Sequence, residues 1–66
     1  MTVKLQRERS RITGTDGYAA VSDEGRAVWG MSKPVALRKL ARLYGKRLYQ
    51  FRMTGKFGQV THYAMR

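Results

Sequence analysis

The chain has 66 residues, no cysteine and a formal charge of +10, from 14 Lys and Arg against four Asp and Glu. A chain of that length makes one small domain, residues 1–66, with a thin stability margin, and without cysteine it has neither disulfides nor thiolate metal sites to support it. No apolar run approaches bilayer length, and the N-terminus alternates apolar and charged residues; a cytoplasmic location is expected, nucleoid-associated if the partner is DNA.

Glycine supplies most of the punctuation. Gly14-Thr15-Asp16-Gly17 separates a first extended segment, residues 2–13, from a second, residues 18–22. Asp23-Glu24-Gly25 separates that from a third, residues 26–31. Both breaks carry the Asp and Gly chemistry of tight turns, and the flanks are rich in Val, Ile, Thr, Tyr and Trp, which predicts three antiparallel strands. Ser32-Lys33-Pro34 then opens a helix, with serine as the N-cap and proline in the first turn, where its missing N–H costs nothing. The helix runs to Tyr44 without a breaker, and Gly45 closes it. At about 100° per residue, Ala36, Leu37, Leu40, Ala41, Leu43 and Tyr44 share one half of the cylinder, with Arg38, Lys39 and Arg42 on the other. Residues 47–53 and 59–66 read as a closing hairpin around Thr54-Gly55-Lys56-Phe57-Gly58. The expected fold is α+β: a small antiparallel sheet with one helix packed on one face, in the order β-β-β-α-β-β. Trp29, Val21, Leu40, Leu37, Phe51 and Tyr49 are the expected core.

The charge is unevenly spread along the chain. All four acids (Glu8, Asp16, Asp23, Glu24) lie in the first 24 residues, whereas Gly25 to Arg66 holds ten basic residues and no acid. A surface with no internal counter-charge repels itself until a polyanion neutralises it, and nucleic acid, DNA or RNA, is the commonest such partner. On the helix, Arg38, Lys39 and Arg42 are continued by Lys46 and Arg47 beyond its end. The helix dipole accounts for some cations there. It does not account for an exposed face without a single glutamate for i,i+4 pairing, so this face is read as a phosphate contact, with a merely solvated face as the alternative. Arginine's planar fork suits phosphate oxygens or a guanine edge.

The closing hairpin adds Arg52, Lys56, Phe57 and Tyr63. If Met53 faces Val60, then Leu48, Gln50 and Arg52 oppose Met65, Tyr63 and Thr61, a mixture of stacking and cationic groups suited to nucleic acid. A slip of one residue would exchange the two faces. At the tip, Lys56 and Phe57 either insert into a groove or form an ordinary exposed turn. Lys4, Arg7, Arg9 and Arg11 form a second cationic ladder, with Arg7, Arg9 and Arg11 on one face. It is either a rail of phosphate contacts or the charged edge strand that small sheets use against aggregation.

Catalysis finds no support in these residues. His62 is the lone histidine, no metal-ligand spacing accompanies it, the only adjacent carboxylates are Asp23-Glu24 in a turn, and no Gly-rich phosphate loop precedes the helix. No enzyme activity, catalytic residue, metal, cofactor or small-molecule substrate is expected.

The stretch Asp16-Gly17-Tyr18-Ala19-Ala20-Val21, followed by Gly30-Met31-Ser32-Lys33-Pro34-Val35-Ala36-Leu37, resembles the core of HicB-type antitoxins over residues 16–41. The shared features are a glycine-tyrosine strand, a hairpin, a glycine before the helix cap and Ala-Leu early in the helix. The chain lacks that family's proline-glycine turn in the middle strand and is basic where those cores tend to be acidic. The resemblance therefore implies a fold (three strands, a helix, a strand) more than a function. By element order the chain also looks like small phage proteins that inhibit host enzymes.

The leading expectation is a nucleic-acid-binding module that uses the basic helix face and the hairpin. The alternative is a small protein-binding regulator or inhibitor, phage-type or antitoxin-like, docking on an acidic surface of a partner enzyme. Attachment to anionic membrane is a weaker third reading, because the helix is short and its apolar face is needed for the core. An open sheet edge would permit a homodimer.

Overall fold

The computed structural model describes all of residues 1–66. Five strands, β1 (Thr2–Arg9), β2 (Asp16–Ser22), β3 (Ala27–Gly30), β4 (Phe51–Phe57) and β5 (Val60–Met65), form one antiparallel sheet in the spatial order β3-β2-β1-β5-β4. One helix, α1 (Lys33–Leu43), lies on one face. The order along the chain is β-β-β-α-β-β, with a single 3-10 turn (Leu48–Gln50) ahead of β4. No helix is long and apolar enough to cross a membrane.

The helix follows from its residues. Ser32 Oγ accepts from the Val35 amide at 3.4 Å and Pro34 occupies the first turn. At the other end Gly45 takes φ +67°, its amide donates to the Arg42 carbonyl, and the Lys46 amide reaches back to the Ala41 carbonyl at 2.8 Å. That pair of reversed bonds is the Schellman closure, which a left-handed glycine permits.

The first strand is central. β1 pairs with β2 along Val3 to Arg9 and with β5 along Thr2 to Leu5, so it is not the charged edge strand that its cations suggested. Val3 and Leu5, 0 % and 1 % exposed, decide this: they project under the helix and join Ala20, Ala36, Leu37 and Leu40 in the core. Burying them on both sides of the ladder outweighs the Lys4 and Arg7 side chains, which reach solvent. Leu37 and Leu40 are core residues as expected, and Phe51 packs against the cluster. Trp29 and Val21 are only half-buried, on the helix-free face, and Tyr49 is exposed in the 3-10 turn.

The closing hairpin differs in register from the expectation. β4 begins at Phe51, with Phe51 opposite Met65 and Met53 opposite Tyr63. Tyr63 therefore shares the helix-side face with Met65 and packs against the core, whereas Arg52, opposite Ala64, faces away. Thr54 is a bulge: Met53 pairs with Tyr63 and Gly55 with the next residue back, His62. The turn is shorter than expected, two residues, Gly58 and Gln59, with Gly58 at φ +60° in the first position, where a primed turn needs a positive φ.

Candidate nucleic-acid interface

The strand period divides the cations into two sets. Residues of β1 that share the parity of Val3 and Leu5 lie on the helix side, so Arg7 and Arg9 project there, beyond the last residue at which β5 pairs with β1. Arg9 meets its cross-strand partner Asp16 in the molecule's one ion pair, Nε to Oδ1 at 3.2 Å. Arg11 has left the strand and sits in the β1–β2 turn, so the ladder of three is reduced to two. Lys4 projects from the opposite face, between Val21 and His62.

On α1, Arg38 and Arg42 are exposed and have no partner, whereas Lys39 bends to the sheet edge, where its Nζ donates to the Trp29 carbonyl at 3.1 Å. Lys39 thus covers an open carbonyl of edge strand β3 and stands apart from the other two. Lys46 and Arg47 are exposed in the connection after the helix, and the Arg47 amide donates to Gln50 Oε1 at 2.6 Å.

The hairpin is divided in the same way. After the Thr54 bulge, Lys56 pairs with Thr61 on the helix side and Phe57 with Val60 on the helix-free side. Phe57 is left 82 % exposed. Strict alternation from Phe51 and Met53 would have put Phe57 towards the core and Lys56 away from it; the bulge reverses both. The expected hairpin surface of Arg52, Lys56, Phe57 and Tyr63 is therefore two surfaces, with Arg52 and Phe57 on one face and Lys56 and Tyr63 on the other.

The helix side collects the larger cationic set: Arg7, Lys33, Arg38, Arg42 and Lys56. Lys33 is an addition to the residues named from the sequence. Its Nζ stands 5.7 Å from the centroid of the Tyr18 ring, and Tyr18 is the cross-strand neighbour of Arg7. The parity that groups Arg7 with Val3 and Leu5 was the signal for this arrangement, together with the place of Lys33 as the first residue after the N-cap.

Three of the four carboxylates are already engaged. Besides Asp16, Asp23 Oδ2 accepts from the Thr2 amide at 3.1 Å, and Glu24 Oε2 accepts from the Tyr44 hydroxyl at 3.1 Å. Glu8 projects from the helix-free face. None of the four lies on α1, β4 or β5. No cluster of three or more His, Cys, Asp or Glu is arranged to hold a metal ion.

Among known proteins, the chain matches no family model, no curated protein and no solved structure.

Proposed function

We propose that this chain is a nucleic-acid-binding module, not an enzyme, and that it contacts phosphates with the helix side of the molecule through Arg38, Arg42, Lys46, Arg7 and Lys56. One observation carries the reading: of 14 Lys and Arg, only Arg9 pairs with a carboxylate. The cations of α1 and the closing hairpin have no internal counter-charge, and an external polyanion relieves that repulsion while releasing its own condensed counterions.

Docking on an acidic partner protein is the weaker reading. The centre of a protein interface is depleted of charge and rich in aromatic side chains and Met. The large apolar side chains exposed here are Ile12, Met31, Leu43, Tyr49, Met53 and Phe57, spread over the β1–β2 turn, both ends of α1, the 3-10 turn and both faces of β4. The nucleic-acid reading is tested by anisotropy titration of labelled duplex DNA, single-stranded DNA and RNA at several salt concentrations. Affinity that falls linearly on a log–log plot against salt is expected. No binding at low salt, or binding indifferent to salt, would overturn it, and a tight stoichiometric protein complex in its place would favour the regulator.

A further inference from the structure

We infer that the cleft between the start of α1 and the β4–β5 turn is a binding site for a phosphomonoester dianion, one that shares Arg7 and Lys56 with the proposed polyanion surface but not the exposed cations along the helix. The cleft has a volume of about 290 Å³ and is lined by Arg7, Tyr18, Lys33, Lys56, Gln59 and Thr61, with Gly58 at its rim. Its three cations come from three elements, β1, α1 and β4, and no carboxylate lines it. The molecule's other two clefts each contain one, Asp23 in the first and Glu8 in the second.

Two features indicate a ligand here. The first is Thr61, which is only 5 % exposed yet lines the cleft, and whose hydroxyl has no partner within the protein. No polar side-chain atom is sealed away without a hydrogen bond, so this hydroxyl meets solvent. A hydroxyl without a protein partner in the wall of a cationic cleft is free to donate to an anion's oxygen. The second is the pairing next to the turn, which sets Lys56 opposite Thr61 on the cleft side and leaves Phe57 in water on the other face.

The helix N-terminus contributes little. Pro34 has no amide hydrogen, the Val35 amide is held by Ser32 Oγ, and the Ala36 amide is held by the Ser32 carbonyl. The side chains carry the site. Arg7 offers a planar fork, the two lysines offer point charges, and Thr61 and Gln59 offer neutral donors. Three positive charges with no acid suit a group carrying about two negative charges at neutral pH better than a singly charged diester. The shared chemistry is a terminal phosphate: the 5′ end of a strand, a mononucleotide or inorganic phosphate.

The test uses the whole chain, labelled with nitrogen-15, and records amide shifts on titration with inorganic phosphate, a nucleoside 5′-monophosphate and the unphosphorylated nucleoside. The two phosphates are expected to move Arg7, Tyr18, Lys33, Lys56 and Thr61, and the nucleoside is not. Binding is expected to weaken below about pH 6, where the phosphate takes up its second proton. Lys33→Gln and Lys56→Gln should each weaken binding about tenfold, the loss expected of one charge-assisted contact, while Lys4→Gln on the opposite face leaves it unchanged. A 5′-phosphorylated oligonucleotide that binds more tightly than both its 5′-hydroxyl twin and the mononucleotide identifies a strand end as the source. Equal affinity for the mononucleotide identifies a small phosphate. Equal response to the nucleoside, or equal losses from Lys4→Gln and Lys56→Gln, would overturn the site. Because phosphate and the mononucleotide need no polymer, this site can fail while oligonucleotide binding survives, and the reverse.

Discussion

The indole nitrogen of Trp29 donates to the carbonyl of Glu8 at 2.9 Å, which lays the ring across Gly17 between them on the helix-free face. Gly30 makes the same kind of close approach on the other face, where a Cβ would collide with the backbone of Ala36 in the first turn of α1. The two glycines therefore test different constraints. Gly17→Ala should cost about 2 kcal/mol, because its Cβ would meet the Gly30 carbonyl oxygen as well as the Trp29 ring, and only the ring can swing aside, at the expense of its hydrogen bond. Gly30→Ala should cost about 3 kcal/mol or more, since backbone cannot move without lifting the helix. Denaturant melts give the ranking, and a red-shifted Trp29 emission should accompany Gly17→Ala alone.

The end of α1 is tied to the β2–β3 turn through one hydroxyl. Tyr44 Oη lies 2.9 Å from Ser22 Oγ and donates to Glu24 Oε2, while the Arg26 guanidinium stands 5.2 Å from the ring centroid. Tyr44→Phe keeps the ring and its cation contact but removes the bridge beside Ser22, which is 5 % exposed. A loss of about 1 kcal/mol is expected, equivalent to about 4–8 °C in Tm for a domain this small. An unchanged Tm would mean the bridge contributes nothing in water.

How legible the molecule is in its sequence depends on whether a signal is local. The helix was readable because its cap, its periodicity and its closing glycine all lie within Ser32 to Gly45, and the element order follows from turn chemistry at Asp16-Gly17 and Asp23-Glu24-Gly25. The centrality of β1 was not readable. Lys4, Arg7, Arg9 and Arg11 mask the two buried residues, Val3 and Leu5, that set its place in the sheet. The hairpin register was misread because Gly55 and Gly58 both look like turn residues: β4 runs on through Gly55 to Phe57, the turn is only Gly58 and Gln59, and the Thr54 bulge leaves no mark in composition. The cleft was missed for a third reason: Arg7, Lys33 and Lys56 meet only once β1, α1 and β4 are assembled.

The bulge itself can be removed. Deleting Thr54 leaves Met53 opposite Tyr63, Gly55 opposite His62 and Lys56 opposite Thr61, now in an unbroken ladder. The deletion should therefore retain the fold, the exposure of Phe57 and phosphate binding in the cleft, and should straighten β4. A straighter edge strand is a better template for pairing with another chain, so self-association should rise, as read by sedimentation velocity. Loss of phosphate binding with the fold intact would show that the bend, and not the facing of Lys56, shapes the cleft.

The proposed polyanion surface can be tested by a charge-matched comparison. Arg38→Ala with Arg42→Ala removes two cations from the helix side, and Lys4→Ala with Arg52→Ala removes two from the helix-free face. Both doubles lower the net charge equally, so a generalised attraction would respond to them alike. If α1 contacts phosphates, the helix double should reduce the slope of log affinity against log salt by about 2, while the other double leaves it nearly unchanged. Arg7→Ala with Arg9→Ala should have a smaller effect than the helix double, since Arg9 is already paired with Asp16. Equal slopes for the helix and helix-free doubles would show that charge alone is sensed, and a larger effect from Lys4 and Arg52 would move the interface to the open sheet, beside Trp29 and Phe57.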